Sequence, residues 1–421
     1  MSLPVKERPW DTDNWYLSPL NWAKEIRATF PNLPQRVHFR DTTLREGEEM
    51  TGVAFSLKDK VKIARKLAAI GVEELDVGYP PVHPLQMEVL KTLKKENVEI
   101  GYYPIIPIMT PSWKEDIDKS AKAGGERAVI KLSGIRDGPH GNAFTPEGKE
   151  RIVEGIEYCK DQYSGNKVVV GPTNQTRNEK PFEWLKWCEM CVTAGCDEID
   201  YIDSMGVAHP LNVKFVVEEM KKVIGDIPVG LHMHNDFGMG VANSIFGVLG
   251  GAEWIQTTVA GFGDRAGNAS FEECVINLEM MYGVDTGIDM SQLYPLAKYV
   301  QQVGGVKVAS NQPVIGEMVW TEESHASGIL AARKADNWRR SENYRPSVVG
   351  QKHAIAWGKL AVRPEAIKMA LDEMDLSYSE EDIIKIRDET VKECEDRTTR
   401  GEARYLTEEE FEEFVKKILR E

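Results

Sequence analysis

Between residues 37 and 281, short β-rich segments alternate with amphipathic helical segments eight times. The strand candidates are VHFRDT (37–42), VEELDVG (72–78), EIGYYPII (99–106), RAVIKLS (127–133), KVVVGP (167–172), EIDYID (198–203), VGLHMH (229–234) and WIQTTVAG (254–261). A helical run follows each, as in SLKDKVKIARKLAAIG (56–71), where Ser56 offers an N-cap and Gly71 a C-terminal stop. Eight strand–helix units predict an α/β chain closed into a (β/α)8 TIM barrel rather than an open doubly wound sheet. The glycine-rich dinucleotide fingerprint that opens many such open sheets is missing after the first strand.

The flanks follow other patterns. Residues 1–36, with PWDTDNWYLSPLNW, carry too many Trp, Pro and Asp for a regular element and read as an N-terminal arm packed on the barrel or on a second subunit. Residues 282–345 read as a linker or subunit-crossing region. Residues 346–421 form a mostly helical accessory region, with helices expected near 364–375, 379–397 and 407–420. A formal charge of −15, from 67 acids against 52 bases, argues against general binding to nucleic acid or anionic membrane. The start, MSLPVKERPW, lacks a signal-like apolar core, so a soluble cytoplasmic enzyme with small-molecule substrates is the expectation. The six cysteines are sparse; Cys188, Cys191 and Cys196 fall on a helical pattern without partner ligands and read as simple thiols.

In such barrels chemistry gathers at the C-terminal ends of the strands. Those ends supply Arg40, Asp41, Asp76, Lys131, Ser133, Thr173, Asn174, Asp203, Ser204, His232, His234 and the segment Gly261 to Asn268. Residues i and i+2 of a strand share a face, so His232 and His234 of GLHMHNDFG project together while Met233 turns away. Two imidazoles joined by Asp41 would make a ligand set with open positions for substrate and water, suited to Zn, Mn, Mg or Co. Arg40 would then be placed to stabilise negative charge. GFGDRAGNAS, after the eighth strand, is a loop whose glycines permit backbone to approach a ligand, leading into a helix whose first turn could face an anion.

RDTTLREGEE, HMHNDFGMGVANS and GFGDRAGNASFEE together resemble signature segments of the metal-dependent barrel enzymes that include 2-isopropylmalate, citramalate and homocitrate synthases, with the HMG-CoA lyases more distant. The resemblance spans residues 37 to 375 and is closest to homocitrate synthase-like or Re-citrate synthase-like members. It implies a Claisen-type condensation of acetyl-CoA with a metal-bound 2-oxo acid, followed by thioester hydrolysis and release of CoA. By that resemblance Asp41, His232, His234 and Asn268 would hold a divalent metal, and Arg40 would be the catalytic arginine. SGIRDGPHG is similar to the segment that holds the 2-oxo acid's carboxylate, through Arg136 with His140 nearby. Thr173, Arg177 and Ser204 join them on the substrate side, and this cationic lining suits a dicarboxylate such as 2-oxoglutarate or oxaloacetate. SHASGILA and NYRPSVVGQKHAIAWGKL resemble a C-terminal region that enters the neighbouring subunit's site, which implies a homodimer with His325 and Tyr344 in catalysis. The sequence departs from the pattern at Asp76 and Glu49, where glutamate and glutamine are usual, in VGPTNQTRNE, which lacks the usual acids, and at Ser327, which falls at the catalytic histidine in an ungapped alignment with the isopropylmalate enzymes. A lyase cleaving a hydroxy or oxo acid, or a metabolite-binding regulator, are the rival readings.

Overall fold

Each expected strand segment contains an extended, buried stretch in the computed structural model, which describes residues 8–131, 143–335, 338–340 and 342–420. The strands are β1 (His38–Asp41), β2 (Glu74–Asp76), β3 (Gly101–Tyr103), β4 (Ile105–Ile106), β5 (Arg127–Ile130), β6 (Lys167–Val170), β7 (Glu198–Asp203), β8 (Val229–Met233) and β9 (Trp254–Thr257). All pair in parallel in the order β3-β2-β1-β9-β8-β7-β6-β5-β4. The two ends of that order, β3 and β4, are consecutive in the chain on either side of Pro104, which has no N–H to give a ladder. They are halves of one strand, so the ring is an eight-stranded barrel. Strands covered on both faces carry continuous apolar runs, as Val168, Val169 and Val170 do on β6.

The helix Leu57–Ala69 starts where expected, with the Ser56 hydroxyl accepting from the Asp59 N–H, and buries Val61, Ile63, Ala64 and Leu67. Gly71 after it has φ +104°, and a Cβ there would meet the Gly287 carbonyl oxygen at 2.2 Å, so only glycine fits.

The chain divides into two compact units with boundaries that differ from the expected ones. The barrel unit takes in Arg8, Pro9 and Pro19–Val308, and reaches past residue 281 because the helix Leu293–Gly304 belongs to it. That helix buries Leu293, Leu296, Ala297 and Val300, and Tyr299 donates its hydroxyl to Asp59 at 3.1 Å. The N-terminal arm is split. From Pro19 it belongs to the barrel unit, where Arg27 donates to the Tyr282 carbonyl at 2.8 Å. Trp10–Ser18 belongs with Ala309–Glu421, where the Tyr16 N–H donates to the Asn343 carbonyl at 2.8 Å.

This second unit has its own core, in which Trp357 stacks on Phe411 with ring centroids 3.9 Å apart, joined by Ile329, Ile367, Leu371, Ile386 and Val415. Its helices Pro364–Glu373, Glu380–Arg400 and Glu408–Ile418 match the expected three. The last two open with capping boxes, Ser379 with Asp382 and Thr407 with Glu410. All six cysteines are free and buried. No helix among the described residues is long and apolar enough to cross a membrane.

Candidate metal centre

Side-chain alternation along the strands decides which polar residues reach the barrel mouth. His232 on β8 and His234 just past its end face the same way, with their Nε2 atoms 3.2 Å apart. The carboxylate that joins them is Glu46. Its Oε1 lies 3.3 Å from His232 Nε2 and its Oε2 lies 3.9 Å from His234 Nε2. One ligand atom from each of the three falls within 4.8 Å of the others, and all three residues are buried.

Asp41 and Arg40 go elsewhere, for reasons of parity and strand-end geometry. Asp41, the last residue of β1, turns its carboxylate onto its own chain and accepts from the Thr43 N–H and hydroxyl at 2.9 Å each. Thr43 in turn accepts from the Val259 N–H at 2.8 Å, so Asp41 helps stitch β1 to the loop after β9. Burial raises the Asp41 carboxyl to about 7. Arg40 points into the barrel interior, where its guanidinium donates to Glu74, Glu198 and Asp200. Its Cζ lies 4.1 Å from the Tyr103 ring centroid. Burial lifts Glu198 to about 8. With Glu198 protonated, Arg40 and Arg127 face two carboxylates, Glu74 and Asp200, and this interior cluster is close to neutral.

The guanidinium beside the candidate ligands is Arg45, bonded to Asp76 at 2.6 Å and to Glu46. Burial works against its charge, and the carboxylates of Asp76 and Glu46 outweigh that effect. Burial would likewise raise Glu46, yet Arg45 and the two histidines hold it well below the usual carboxylate range. Burial, then the neighbouring His232, lowers His234 to about 3, so its ring is in the neutral form that binds metals. The turn bearing Arg45 and Glu46 is fixed from behind by buried Lys60, which donates to the Leu44 carbonyl at 3.1 Å and to Glu48. Neither Arg45 nor Glu46 is among the residues expected at the strand ends. Their signal was position: four and five residues past the end of β1, a short turn brings a side chain back over the mouth.

Asn268 lies beside the group, with Nδ2 3.4 Å from His232 Nε2. Gly263 makes the room, since a Cβ there would lie 2.0 Å from Asn268 Oδ1. Ser204 accepts from the Asn174 N–H at 3.0 Å, and its carbonyl accepts from Arg265 at 2.7 Å, while Arg265 also reaches His234 Nδ1 at 3.3 Å. Thr173 is partly buried, and Arg177 is exposed. Arg136 and His140 lie outside the described residues. His325 and Tyr344 belong to the second unit, where His325 is exposed beside Ser324 and Tyr344 is buried edge-on to Trp320.

The residues fit a divalent cation. Glu46 Oε2 and Asn268 Oδ1 are buried oxygens without a hydrogen-bond partner among the described residues, and neutral imidazole with carboxylate is an ordinary donor set for such ions.

The anion expected at the helix after the glycine loop has a resident substitute. The buried Glu272 carboxyl accepts from the Ala260 N–H at 3.0 and 3.1 Å and from Ser270 at 3.0 Å. Burial raises it from 4.5 to about 8. The folded protein therefore keeps a proton that the unfolded chain releases, and stability from this group is lost as pH rises from 4.5 through about 8. A glutamine side chain at this position would mimic the protonated acid. In urea unfolding, Glu272→Gln is expected to match the parent near pH 5 and to exceed it by a few kcal/mol near pH 8.5.

Fold and site define a (β/α)8 barrel with a two-histidine, one-carboxylate candidate metal centre at its mouth. Residues 36–300 match the HMGL-like family, and the chain belongs to it. It is 33% identical over 389 residues to the homocitrate synthase AksA of Methanocaldococcus jannaschii, covering 91% of each chain. It is 34% identical over 327 residues to the 2-isopropylmalate synthase of Sulfolobus acidocaldarius, covering 77% of this chain and 82% of that one. Among solved structures, the HMG-CoA lyase of Bacillus subtilis superposes with a TM-score of 0.57 at 18% identity, over 66% of this chain and 96% of that one, a likeness of fold.

Proposed function

We propose that this protein condenses acetyl-CoA with a 2-oxo acid and that water then hydrolyses the thioester, releasing CoA and a hydroxylated di- or tricarboxylate. The observation that carries this reading is the convergence of Glu46, His232 and His234 beside the buried guanidinium of Arg45, in a chain similar over nine-tenths of its length to a homocitrate synthase. A divalent ion held by Glu46, His232 and His234, with Asn268 at hand, would supply Lewis-acid polarisation of a carbonyl oxygen. Arg45 offers N–H donors to negative charge developing on an enolate or alkoxide oxygen, in a site where burial strengthens the interaction. It takes the role that the sequence suggested for Arg40.

His325 and Tyr344 are proposed for proton transfer on the strength of the resemblance alone, with the second unit supplied by a partner subunit. A dicarboxylic acceptor is favoured by buried Lys131 near Arg45, in addition to Arg136, His140 and Arg177.

The experiment is CoA release from acetyl-CoA with a panel of 2-oxo acids and mass identification of the product. Oxaloacetate or 2-oxoglutarate is expected to exceed 2-oxoisovalerate and pyruvate in kcat/KM by at least about tenfold, the worth of one charged contact. Pyruvate formed from a hydroxy acid without CoA would point to a lyase, and binding without turnover to a regulator; either result would replace the proposal.

A further inference from the structure

The interior cluster around Arg40 is joined to the metal centre by a chain of hydrogen bonds through Gln256. The barrel registers set it up: Gln256 on β9 pairs with His232 on β8 and with Arg40 on β1. Gln256 Oε1 lies 3.0 Å from His232 Nδ1, and Gln256 Nε2 donates to Asp200 Oδ2 at 2.6 Å. Arg40 Nη1 lies 3.4 Å from each Asp200 oxygen.

Arg40 itself is held on its other side by Glu74, at 3.1 Å from Nε and 2.9 Å from Nη2, and by Glu198, at 2.8 and 3.0 Å from Nη2. Glycine makes room for these acids. A Cβ on Gly230 would lie 2.1 Å from Asp200 Oδ1 and 2.6 Å from Glu198 Oε1, and one on Gly171 would lie 2.8 Å from the Asp200 Cβ.

Direction follows from donor and acceptor chemistry. A carboxylate facing a guanidinium only accepts, so the amide nitrogen of Gln256 must face Asp200 and its oxygen must face His232. An amide oxygen only accepts, so the proton of a neutral His232 ring sits on Nδ1. Nε2 is then left bare toward Glu46 and His234. Were the amide reversed, two acceptors would face each other at the carboxylate in a fully buried place.

We propose that Gln256 and Asp200, braced by Arg40, are positioning residues that lock His232 in the tautomer whose Nε2 can bind the metal. This rests on the reading of Glu46, His232 and His234 as a metal centre. It also gives Arg40 a function at a distance from the reacting atoms, in place of direct contact with substrate.

The test is imidazole-nitrogen NMR of the metal-free protein with isotope-labelled histidine, the His232 signals being identified by their loss in His232→Gln, together with titration by Mn(II) followed through the resonance of the free ion. The wild type is expected to carry the His232 proton on Nδ1. Gln256→Leu is expected to move it to Nε2 and to weaken Mn(II) binding by about 10- to 100-fold, as removal of an outer hydrogen-bond partner does. Asp200→Asn, which no longer dictates the direction of the amide, should give a mixture of tautomers. A wild-type His232 protonated on Nε2 overturns the proposal, and so does a folded Gln256→Leu protein with unchanged tautomer and a Kd within about twofold of wild type. If Gln256→Leu does not fold, the wild-type spectrum still decides. A wild type that binds no Mn(II) while showing the Nδ1 proton overturns the metal centre and leaves the tautomer lock standing.

Discussion

Glu46→Gln is expected to weaken divalent-metal binding by at least about 100-fold, more than the loss of an outer partner would, while Asp41→Asn changes it by no more than about threefold. The contrast follows from where the two carboxylates point. Glu46 lies against both histidines, is held ionised by Arg45, and keeps one buried oxygen without a partner among the described residues. Glutamine in its place would present a neutral oxygen to the cation and leave Arg45 facing an amide. Asp41 spends both oxygens on Thr43, and burial already carries its carboxyl to about 7, so asparagine reproduces much of its bonding. Isothermal titration with Mn(II) or Zn(II) checks both variants; loss of binding in Asp41→Asn with retention in Glu46→Gln would reverse the assignment.

Arg40→Met is expected to destabilise the fold by about 3 to 5 kcal/mol, the penalty for breaking a buried ion pair from one side. Glu74, Glu198 and Asp200 would face one another without the guanidinium that now bonds all three. For a unit of this size the midpoint of thermal unfolding should fall by about 5 to 8 °C. Differential scanning calorimetry reads this directly. An arginine in contact with substrate at the mouth would behave differently, losing turnover with little change in the melting temperature.

The contrast between Arg40 and Arg45 also marks the limit of what the sequence makes legible. Strand patterning locates all eight barrel strands, some as buried apolar runs like β6 and others, like β7, by alternation of polar and apolar residues. His232 and His234 are equally legible, since i and i+2 on one strand share a face whatever surrounds them. The third ligand is not set by periodicity. RDTTLREGEE contains two arginine–acid pairs five residues apart, and only the turn after β1 decides that Glu46, not Asp41, meets the histidines. Gln256 was hidden for a related reason: a single glutamine in WIQTTVAG carries no signal until the β8–β9 register places it on the ring of His232. The division of the arm at Ser18 and the inclusion of Leu293–Gly304 in the barrel unit depend on long-range packing that no local pattern encodes.

In the proposed reaction a cation held by Glu46, His232 and His234 serves the condensation of acetyl-CoA with a 2-oxo acid. The measurement that meets it most directly is the rate of CoA release from acetyl-CoA plus a 2-oxo dicarboxylate, taken on one protein sample after chelation and again after addition of one equivalent of Mn(II) or Zn(II). Release is expected to be absent without the metal, restored on its return, dependent on the 2-oxo acid, and not restored in Glu46→Gln. Release at full rate after chelation, or no release with any 2-oxo acid in the fully loaded protein, would contradict it.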